Sequence, residues 1–252
     1  MTARLARIVS SLAAVVLAAG CTSYYEIPIE TPIRPKLDIS AFQRVLVAGF
    51  IAGGTEDVDG NLETTRLLRS QLRTKSELRV IDADVLPLME VALEGREGSN
   101  GDKAVQQSSI KEDSDLEAYE HVFANVEYWK RIGEEYQQPL IVTGTVMFAP
   151  QARSGIVQRD QEVYDSFGRR RVVPVRTYME RKGFVLRPRF VFIDGRNGTI
   201  LHSENFREEI LYNANQTSPA LSSYFELMDR LIPSFLSTLS SQRIRGTRIL
   251  LQ

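Results

Sequence analysis

The sequence predicts an α/β (α+β) fold, a three-layer domain whose helices pack on a mixed β-sheet that carries an extended β-hairpin insertion. Two observations support this class. Strand-like and helix-like patterns alternate along most of the chain, as they do when helices cover a sheet. In addition, residues 44–50 (RVLVAGF) are almost continuously apolar, which is typical of a strand covered on both faces.

The first half of the domain contains two strand–helix units. After the strand at residues 44–50, a turn-rich piece leads to Asn61, which we expect to cap a helix that buries Leu68 and Leu72. Residues 78–82 (LRVID) are a second short strand, and VLPLMEVAL follows as a second helical stretch. This order predicts neighbouring strands with helices packed against them.

A flexible insertion is expected near residues 94–115, because this segment is polar, contains several glycines and shows no apolar periodicity. Apolar residues then recur at steps of three and four, among them Val126 and Trp129. This spacing predicts one helix from Asp115 to Tyr136.

The second half predicts a long hairpin, a further strand and a final helix. Residues 140–149 (LIVTGTVMFA) and 184–194 (FVLRPRFVFID) are strands, with a basic hairpin near residues 155–183 between them. The sequence DGRNG, residues 194–198, is a turn signal into the next strand. The last helix is expected to bury a stripe with four-three spacing: Leu221, Phe225, Met228, Ile232, Phe235 and Leu239.

The first 20 residues predict a secretory signal peptide. Arg4 and Arg7 precede an uncharged run over residues 8–19, which is too short to span a bilayer. The run ends in LAAGC, whose Cys21 is the only cysteine of the chain, and this stretch resembles the lipobox of bacterial lipoproteins. The resemblance implies cleavage before Cys21 and acylation of its thiol and amino group. A plain secretory signal with an incidental cysteine is the alternative.

Residues 21–40 follow the predicted cleavage point and contain Pro28, Pro32 and Pro35. Prolines at this spacing favour an extended backbone, so we expect a proline-rich tether between the acylated cysteine and the folded domain. An irregular arm packed along the domain is the alternative. Residues 41–252 would then form a single periplasmic domain.

Two strings resemble the core of the curli-secretion pore lipoprotein family: LIVTGTVMFAPQARSG and RFVFIDGRNGTILHSENFREEILY. The VAGF strand and the helix leading into LRVID also resemble the N-terminal domain of the Tol-Pal propeller protein and the penicillin-binding-protein activator lipoprotein. The resemblance spans about residues 44–239 and implies a related fold.

The chain departs from the pore family where that family crosses the outer membrane. The family uses two hairpins per subunit, but residues 155–183 contain GRRR, ERK and Pro174, and NANQTSPA after Tyr212 is too short for a second crossing. A charge on a lipid-facing strand costs about 2 to 4 kcal/mol at the bilayer midplane. We therefore expect the periplasmic domain without the pore.

Composition argues against catalysis and against nucleic-acid binding. Two histidines and one cysteine leave no convincing metal cluster. The glycines of AGFIAGG fit neither the dinucleotide pattern nor the P-loop, and no nucleophile elbow is present. The net charge of −1 gives no indication of a nucleic-acid partner. We expect a protein that is not an enzyme and that holds no metal or cofactor.

The basic hairpin is the candidate partner-binding site, since arginine and tyrosine often anchor interfaces. Its candidate residues are Arg169, Arg170, Arg171, Arg176, Tyr178 and Arg181. A solvated charged hairpin without a partner is the alternative.

We expect an outer-membrane lipoprotein, anchored through Cys21, whose periplasmic domain is a scaffold or accessory factor for an envelope assembly or secretion machine. The position after the cysteine is Thr22 rather than Asp, which favours the outer membrane. An envelope protein is the expected partner, and self-association is left open. The alternatives are a regulator of a peptidoglycan synthase and, less favoured, a subunit of an oligomeric secretion channel.

The lipobox resemblance predicts that Cys21→Ala leaves a soluble or unprocessed product, because the thiol that carries the lipid is removed. Detergent phase separation and mass spectrometry of the mature protein measure this. An unmodified Cys21 in a protein that partitions into the aqueous phase would contradict the lipoprotein interpretation.

Overall fold

In the computed structural model, the described residues are 24–75, 77–97, 110–213, 216 and 218–251. They form two compact units, one made of the terminal segments up to Arg34 and from Ser241, the other of residues 35–240. The predicted signal peptide and Cys21 lie outside the described residues, as do residues 98–109 of the predicted insertion.

The larger unit contains most of the regular elements, and the smaller unit contains the first and last strands. The strands are β1 (Tyr24–Ile33), β2 (Arg44–Gly54), β3 (Arg79–Val80), β4 (Leu140–Tyr164), β5 (Arg170–Asp194), β6 (Ile200–Asn205), β7 (Glu208–Asn213) and β8 (Gln242–Leu251). The helices are α1 (Gly60–Lys75), α2 (Leu88–Glu97), α3 (Asp113–Glu117), α4 (Val126–Glu135) and α5 (Ala220–Leu239), with a 3₁₀ turn at Glu120–Val122.

The sheet of the larger unit is mixed, as predicted. Its strand order is β3-β2-β4-β5-β6, and β7 also pairs with β5. Strand β2 runs parallel to β3 and β4, whereas β5 runs antiparallel to β4, β6 and β7. Residues 45–51 of β2 are buried throughout, as their near-continuous apolar sequence predicts.

Helices cover both faces of this sheet and create two cores. On one face, α1 contributes Leu68 and Leu72 and α5 contributes Phe235, whose ring lies 4.9 Å from that of Phe190. On the other face, α2, α3 and α4 pack around Trp129, whose indole N–H donates to the Val122 carbonyl at 2.8 Å. The predicted three-layer class is confirmed.

The predicted helix from Asp115 to Tyr136 is divided into α3, the 3₁₀ turn and α4. The division occurs because Asn125 caps α4: its side-chain oxygen accepts the Tyr128 backbone N–H at 3.1 Å. Val126 is consequently the first residue of α4 and is 42 % exposed rather than buried. Likewise, Asp59 rather than Asn61 accepts the N–H of Leu62 at the start of α1, while Asn61 accepts the Phe50 N–H.

The buried stripe of α5 is shifted relative to the predicted one. Tyr224 and Leu227 are fully buried, whereas the predicted Leu221 is 44 % exposed and Phe225 is half-buried. Farther along, the predicted Met228, Ile232, Phe235 and Leu239 are buried. The two stripes coincide in the second half of the helix because its buried face is broad there, including Leu231 and Leu236.

Residues 24–33 are a β-strand instead of the predicted tether or irregular arm. Strand β1 pairs antiparallel with β8 over the full length of both strands, from Tyr24 opposite Leu251 to Ile33 opposite Gln242. These two strands form a separate two-stranded sheet. The prolines do favour an extended backbone, but the C-terminal segment supplies a partner strand.

The packing of α5 predicts that Phe235→Ala lowers the free energy of unfolding by about 3 to 5 kcal/mol, because it leaves a cavity between Phe190 and Phe192. Leu221→Ala on the exposed side of α5 is the control and should cost only about 0.5 kcal/mol. Urea unfolding followed by circular dichroism measures both. Equal losses would contradict this register of α5.

Candidate functional site: the projecting ribbon

The candidate site is the outer half of the β4–β5 hairpin. Each strand has 25 residues, and only the halves nearer the sheet have neighbours on their other edges. Residues 154–164 and 170–180 pair only with each other. We call residues 151–183 the projecting ribbon; the predicted hairpin at residues 155–183 lies within it. At about 3.3 Å per residue, its arms extend roughly 36 Å beyond β7.

The base of the projecting ribbon is fixed to the sheet by β7. Arg153 pairs with Glu209 of β7 at 2.8 Å, and the ring of Phe184 stacks on that of Phe148 at 4.9 Å. At Gly183 the strands approach so closely that a Cβ would lie 1.9 Å from the Ile210 carbonyl oxygen. These contacts give the projecting ribbon a rigid foundation.

The tip of the projecting ribbon is a turn organised by Asp165. Its carboxylate accepts the backbone N–H groups of Phe167 and Arg169, both at 2.9 Å, and the Arg169 Nε–H at 3.0 Å. The backbone hydrogen bond from Arg169 is the largest of the interactions that lower the pKa of Asp165 below the ordinary aspartate value. Gly168 adopts φ +74°, a conformation that glycine accommodates without strain.

One side of the projecting ribbon is rich in exposed aromatic and apolar side chains. Directly opposite residues of an antiparallel pair share a face, so the register assigns every side chain to one side. Tyr164 lies opposite Arg170, and Ile156 lies opposite Tyr178. We call this side the aromatic face; its main residues are Ile156, Tyr164, Arg170, Val172, Pro174, Arg176 and Tyr178.

The other side, the valine face, is more covered by its own neighbours. Its apolar residues are Val157, Val163, Val173, Val175 and Met179. Val157, Val175 and Met179 are half-buried, although no helix or further strand pairs with this part of the hairpin. Cross-strand packing of these side chains stabilises the projecting ribbon.

The six predicted contact residues are not on one surface. Arg170, Arg176 and Tyr178 share the aromatic face, whereas Arg171 and Arg181 are on the valine face. Arg169 lies in the turn, where its guanidinium is held by Asp165. The division follows from the two-residue period of a strand, which sends neighbours in sequence to opposite sides.

The predicted arginines also differ in whether they form ion pairs. Arg170 pairs with Glu162, while Arg176 and Arg181 form no ion pair within the part of the chain that the structure describes. Residues 151–183 contain eight basic and four acidic side chains, a net charge of +4. Arg176 therefore has no ion-pair partner in the described residues and lies between the exposed apolar side chains of the aromatic face.

Ile156 and Val172 were not predicted as contact residues. Ile156 is 73 % exposed, and Val172 is also exposed. The signal that identifies them is the turn sequence DSFGR: counting outward from it pairs Tyr164 with Arg170 and fixes the face of every other residue.

The glycines of AGFIAGG serve close packing in the structure. A Cβ on Gly54, at φ +105°, would lie 1.8 Å from the Phe148 carbonyl oxygen. A cleft of about 370 Å³ lies beside Gly54, lined also by Thr55, Glu56 and Asp59. Its two carboxylates disfavour a phosphate ligand. Across the described residues, no group of three or more His, Cys, Asp or Glu side chains is placed to hold a metal ion.

In the described parts of the chain, none of the helices combines the length and apolarity that crossing a membrane requires.

No protein-family model matches the chain, and no curated protein matches it. Similar solved structures include the lipoprotein GNA1162 from Neisseria meningitidis, with 12 % identity over 77 % of this chain and 97 % of that chain, at a TM-score of 0.35. A PelC dodecamer from Paraburkholderia phytofirmans has 14 % identity over 85 % and 98 % of the two chains, at a TM-score of 0.37. These low values assign no function, and the resemblance to the pore lipoprotein family stays a prediction.

The turn geometry predicts how the tip responds to pH. Because the folded-state pKa of Asp165 is lowered, its hydrogen bonds persist above the unfolded-state pKa of about 4 and are lost as the pH falls through the lower folded-state value. The amide proton shifts of Phe167 and Arg169 should therefore be constant from pH 7 to about 4 and change below it.

Asp165→Ala should abolish this titration, whereas Glu162→Ala, which removes a neighbouring carboxylate, should leave it in place. If the amide proton shifts of Phe167 and Arg169 changed with a midpoint pH above the ordinary aspartate pKa, Asp165 would not be the group that organises the turn.

Proposed function

We propose that the protein is a non-catalytic lipoprotein, anchored through Cys21 in the outer membrane, whose periplasmic domain is a scaffold or accessory factor for an envelope assembly or secretion machine. In this proposal the aromatic face of the projecting ribbon contacts the partner. The observation that carries the proposal is the combination, on one face, of exposed apolar side chains with an unpaired arginine.

Exposure of the aromatic face supports a binding role. Ile156 and Tyr178 lie opposite one another and are 73 % and 67 % exposed, and Tyr164 is exposed nearer the tip. Several large exposed apolar side chains on one face are typical of interaction sites. Tyrosine and arginine also provide large contact areas and dominate binding energy in many interfaces.

The aromatic face is balanced in charge. Its acidic residues Asp160, Glu162 and Glu180 equal in number its basic residues Arg170, Arg176 and Lys182, so the net charge of +4 lies on the valine face. Arg176 nevertheless forms no ion pair in the described residues and is available for a carboxylate supplied by a partner.

Both faces of the projecting ribbon carry charges that favour water over lipid. Asp160 and Arg176 are on the aromatic face, and Arg159 is on the valine face. Each of the two arginines at the bilayer midplane would cost roughly 2 to 4 kcal/mol, and Asp160 less. Pro174 has no N–H, and the outer edges of both arms leave backbone groups unpaired, which the hydrocarbon region does not tolerate.

The larger unit places the projecting ribbon far from the point where the N-terminal segment joins it. Leu37 donates its N–H to the Thr238 carbonyl at 3.0 Å, and the Arg196 guanidinium lies 4.7 Å from the centre of the Phe42 ring. Arg196 is in the turn after β5, at the opposite end of that strand from the tip. The joining segment itself lies nearer the tip, because Lys36 pairs with Glu204, which is opposite Phe190. The 20 residues from Phe190 to Arg170 place the tip about 65 Å from this junction.

We predict that Arg176→Ser with Tyr178→Ser abolishes co-purification of the envelope partner and the protein's envelope phenotype, without changing folding or membrane attachment. The two residues lie on the proposed contact surface, so their loss removes a cation and a large contact area. Affinity purification after cross-linking from a photoreactive residue at position 178 identifies the partner directly.

The matched control is Arg159→Ser with Val163→Ser, which removes one arginine and one exposed apolar group from the valine face. It should retain the partner, and a photoreactive residue at position 177 should give no adduct. If both double variants behave like the unaltered protein, the projecting ribbon is only a solvated hairpin. If both lose the partner, the aromatic face is not the specific contact.

A further inference from the structure

One face of the β1–β8 ribbon of the smaller unit is far more apolar than the other. Large apolar side chains on the apolar face are 40 to 66 % exposed: Tyr25, Ile27, Ile29, Ile33 and Ile244. The opposite face carries Ile249, Pro28 and Pro32 beside Glu26 and Glu30, and Glu30 pairs with Arg245 at 2.9 Å.

A two-stranded ribbon with an exposed apolar face requires a surface to cover it. Strands β1 and β8 pair only with each other and form a sheet of their own. Isolated two-stranded ribbons are marginally stable in water, and a further layer over the apolar face supplies the missing stability.

We propose that this apolar face lies on the surface of the lipid bilayer. The inference rests on the proposed acylation of Cys21, because Tyr24 is only three residues farther along the chain. Three residues span at most about 10 Å, so an acylated Cys21 holds the start of β1 at the headgroup level. Tyr25, which is amphipathic and 66 % exposed, is well suited to that interface.

A charged residue on the apolar face favours a bilayer over a second copy of the chain. Arg248 lies opposite Ile27, is exposed, and forms no ion pair within the described residues. Both acidic residues of the ribbon, Glu26 and Glu30, are on the other face. Stacking two such apolar faces would bury Arg248 without a counter-charge, which is costly.

A bilayer surface satisfies Arg248 without that cost. The aliphatic part of the side chain can lie along the apolar face while the guanidinium reaches a lipid phosphate. The unpaired backbone groups at the ribbon edges can bond to water and headgroups, because the ribbon rests on the interface and does not cross the hydrocarbon region.

The test uses the mature chain with Cys21→Ser, so that binding does not depend on the acyl chains. The chain should co-sediment with vesicles of phosphatidylethanolamine and phosphatidylglycerol. Ile27→Asn with Ile29→Asn should weaken this binding about tenfold or more. Arg248→Gln should weaken binding to these vesicles more than binding to phosphatidylcholine vesicles, because the latter carry no net charge.

Ile249→Asn is the matched control, since Ile249 is 59 % exposed on the opposite face and should be dispensable. A second measurement does not depend on the asparagine variants folding correctly. In a Tyr25→Trp variant, vesicles with brominated acyl chains should quench the fluorescence of the new tryptophan. The tryptophan of an Ile249→Trp variant should be quenched less. Trp129 is fully buried and supplies a constant background.

Two outcomes would overturn the inference. One is a Cys21→Ser chain that binds neither kind of vesicle. The other is a dimer in sedimentation velocity that Ile27→Asn with Ile29→Asn dissociates, which would assign the face to a second copy. Acylation and partner co-purification are measured separately on the Cys21-containing protein, so either proposal can fail alone.

Discussion

The unbroken antiparallel register between β4 and β5 is the constraint on which the rest of this structure depends. The pairing runs from Leu140 opposite Asp194 in the buried sheet to Tyr164 opposite Arg170 at the tip, without a bulge. The same alternation that sends Val142 and Phe192 into the α1–α5 core therefore decides that Ile156 and Tyr178 share the aromatic face.

The two faces of the projecting ribbon have different roles: the valine face holds the two strands together, and the aromatic face is open to a partner. On the valine face, small β-branched side chains pack across the strands and leave Val157 and Val175 half-buried. On the aromatic face, the larger Tyr164 and Tyr178 extend into solvent beside arginines. A partner can therefore cover the aromatic face without disturbing the packing that keeps the two strands together.

Prediction from sequence succeeded where the pattern of apolar residues fits only one kind of secondary structure. The buried strands at residues 44–50, 140–149 and 184–194 were recognisable because long apolar runs between turn signals fit few other structures. In α5 the pattern was ambiguous, because apolar residues at Leu221, Tyr224 and their neighbours fit two overlapping stripes, and only packing against the sheet chooses between them.

The candidate site shows the same limit. A run of arginines drew attention to Arg169, Arg170 and Arg171, but proximity in sequence does not mean a shared surface when side chains alternate. The β1–β8 pairing depends on a contact between the two ends of the chain. No local pattern indicates such a contact, and Pro28 and Pro32 suggest an unpaired segment instead.

The uninterrupted hairpin also restricts how the protein can change its dimensions over evolution. Removal of one residue from each arm, that is, of one cross-strand pair, would preserve every hydrogen bond of the base. It would nevertheless turn Tyr164 and Arg170 to the opposite side of the domain. Removal of two pairs restores the original side. Homologous proteins that keep the same binding geometry should therefore differ in reach by steps of about 7 Å, the rise of two residues in each strand.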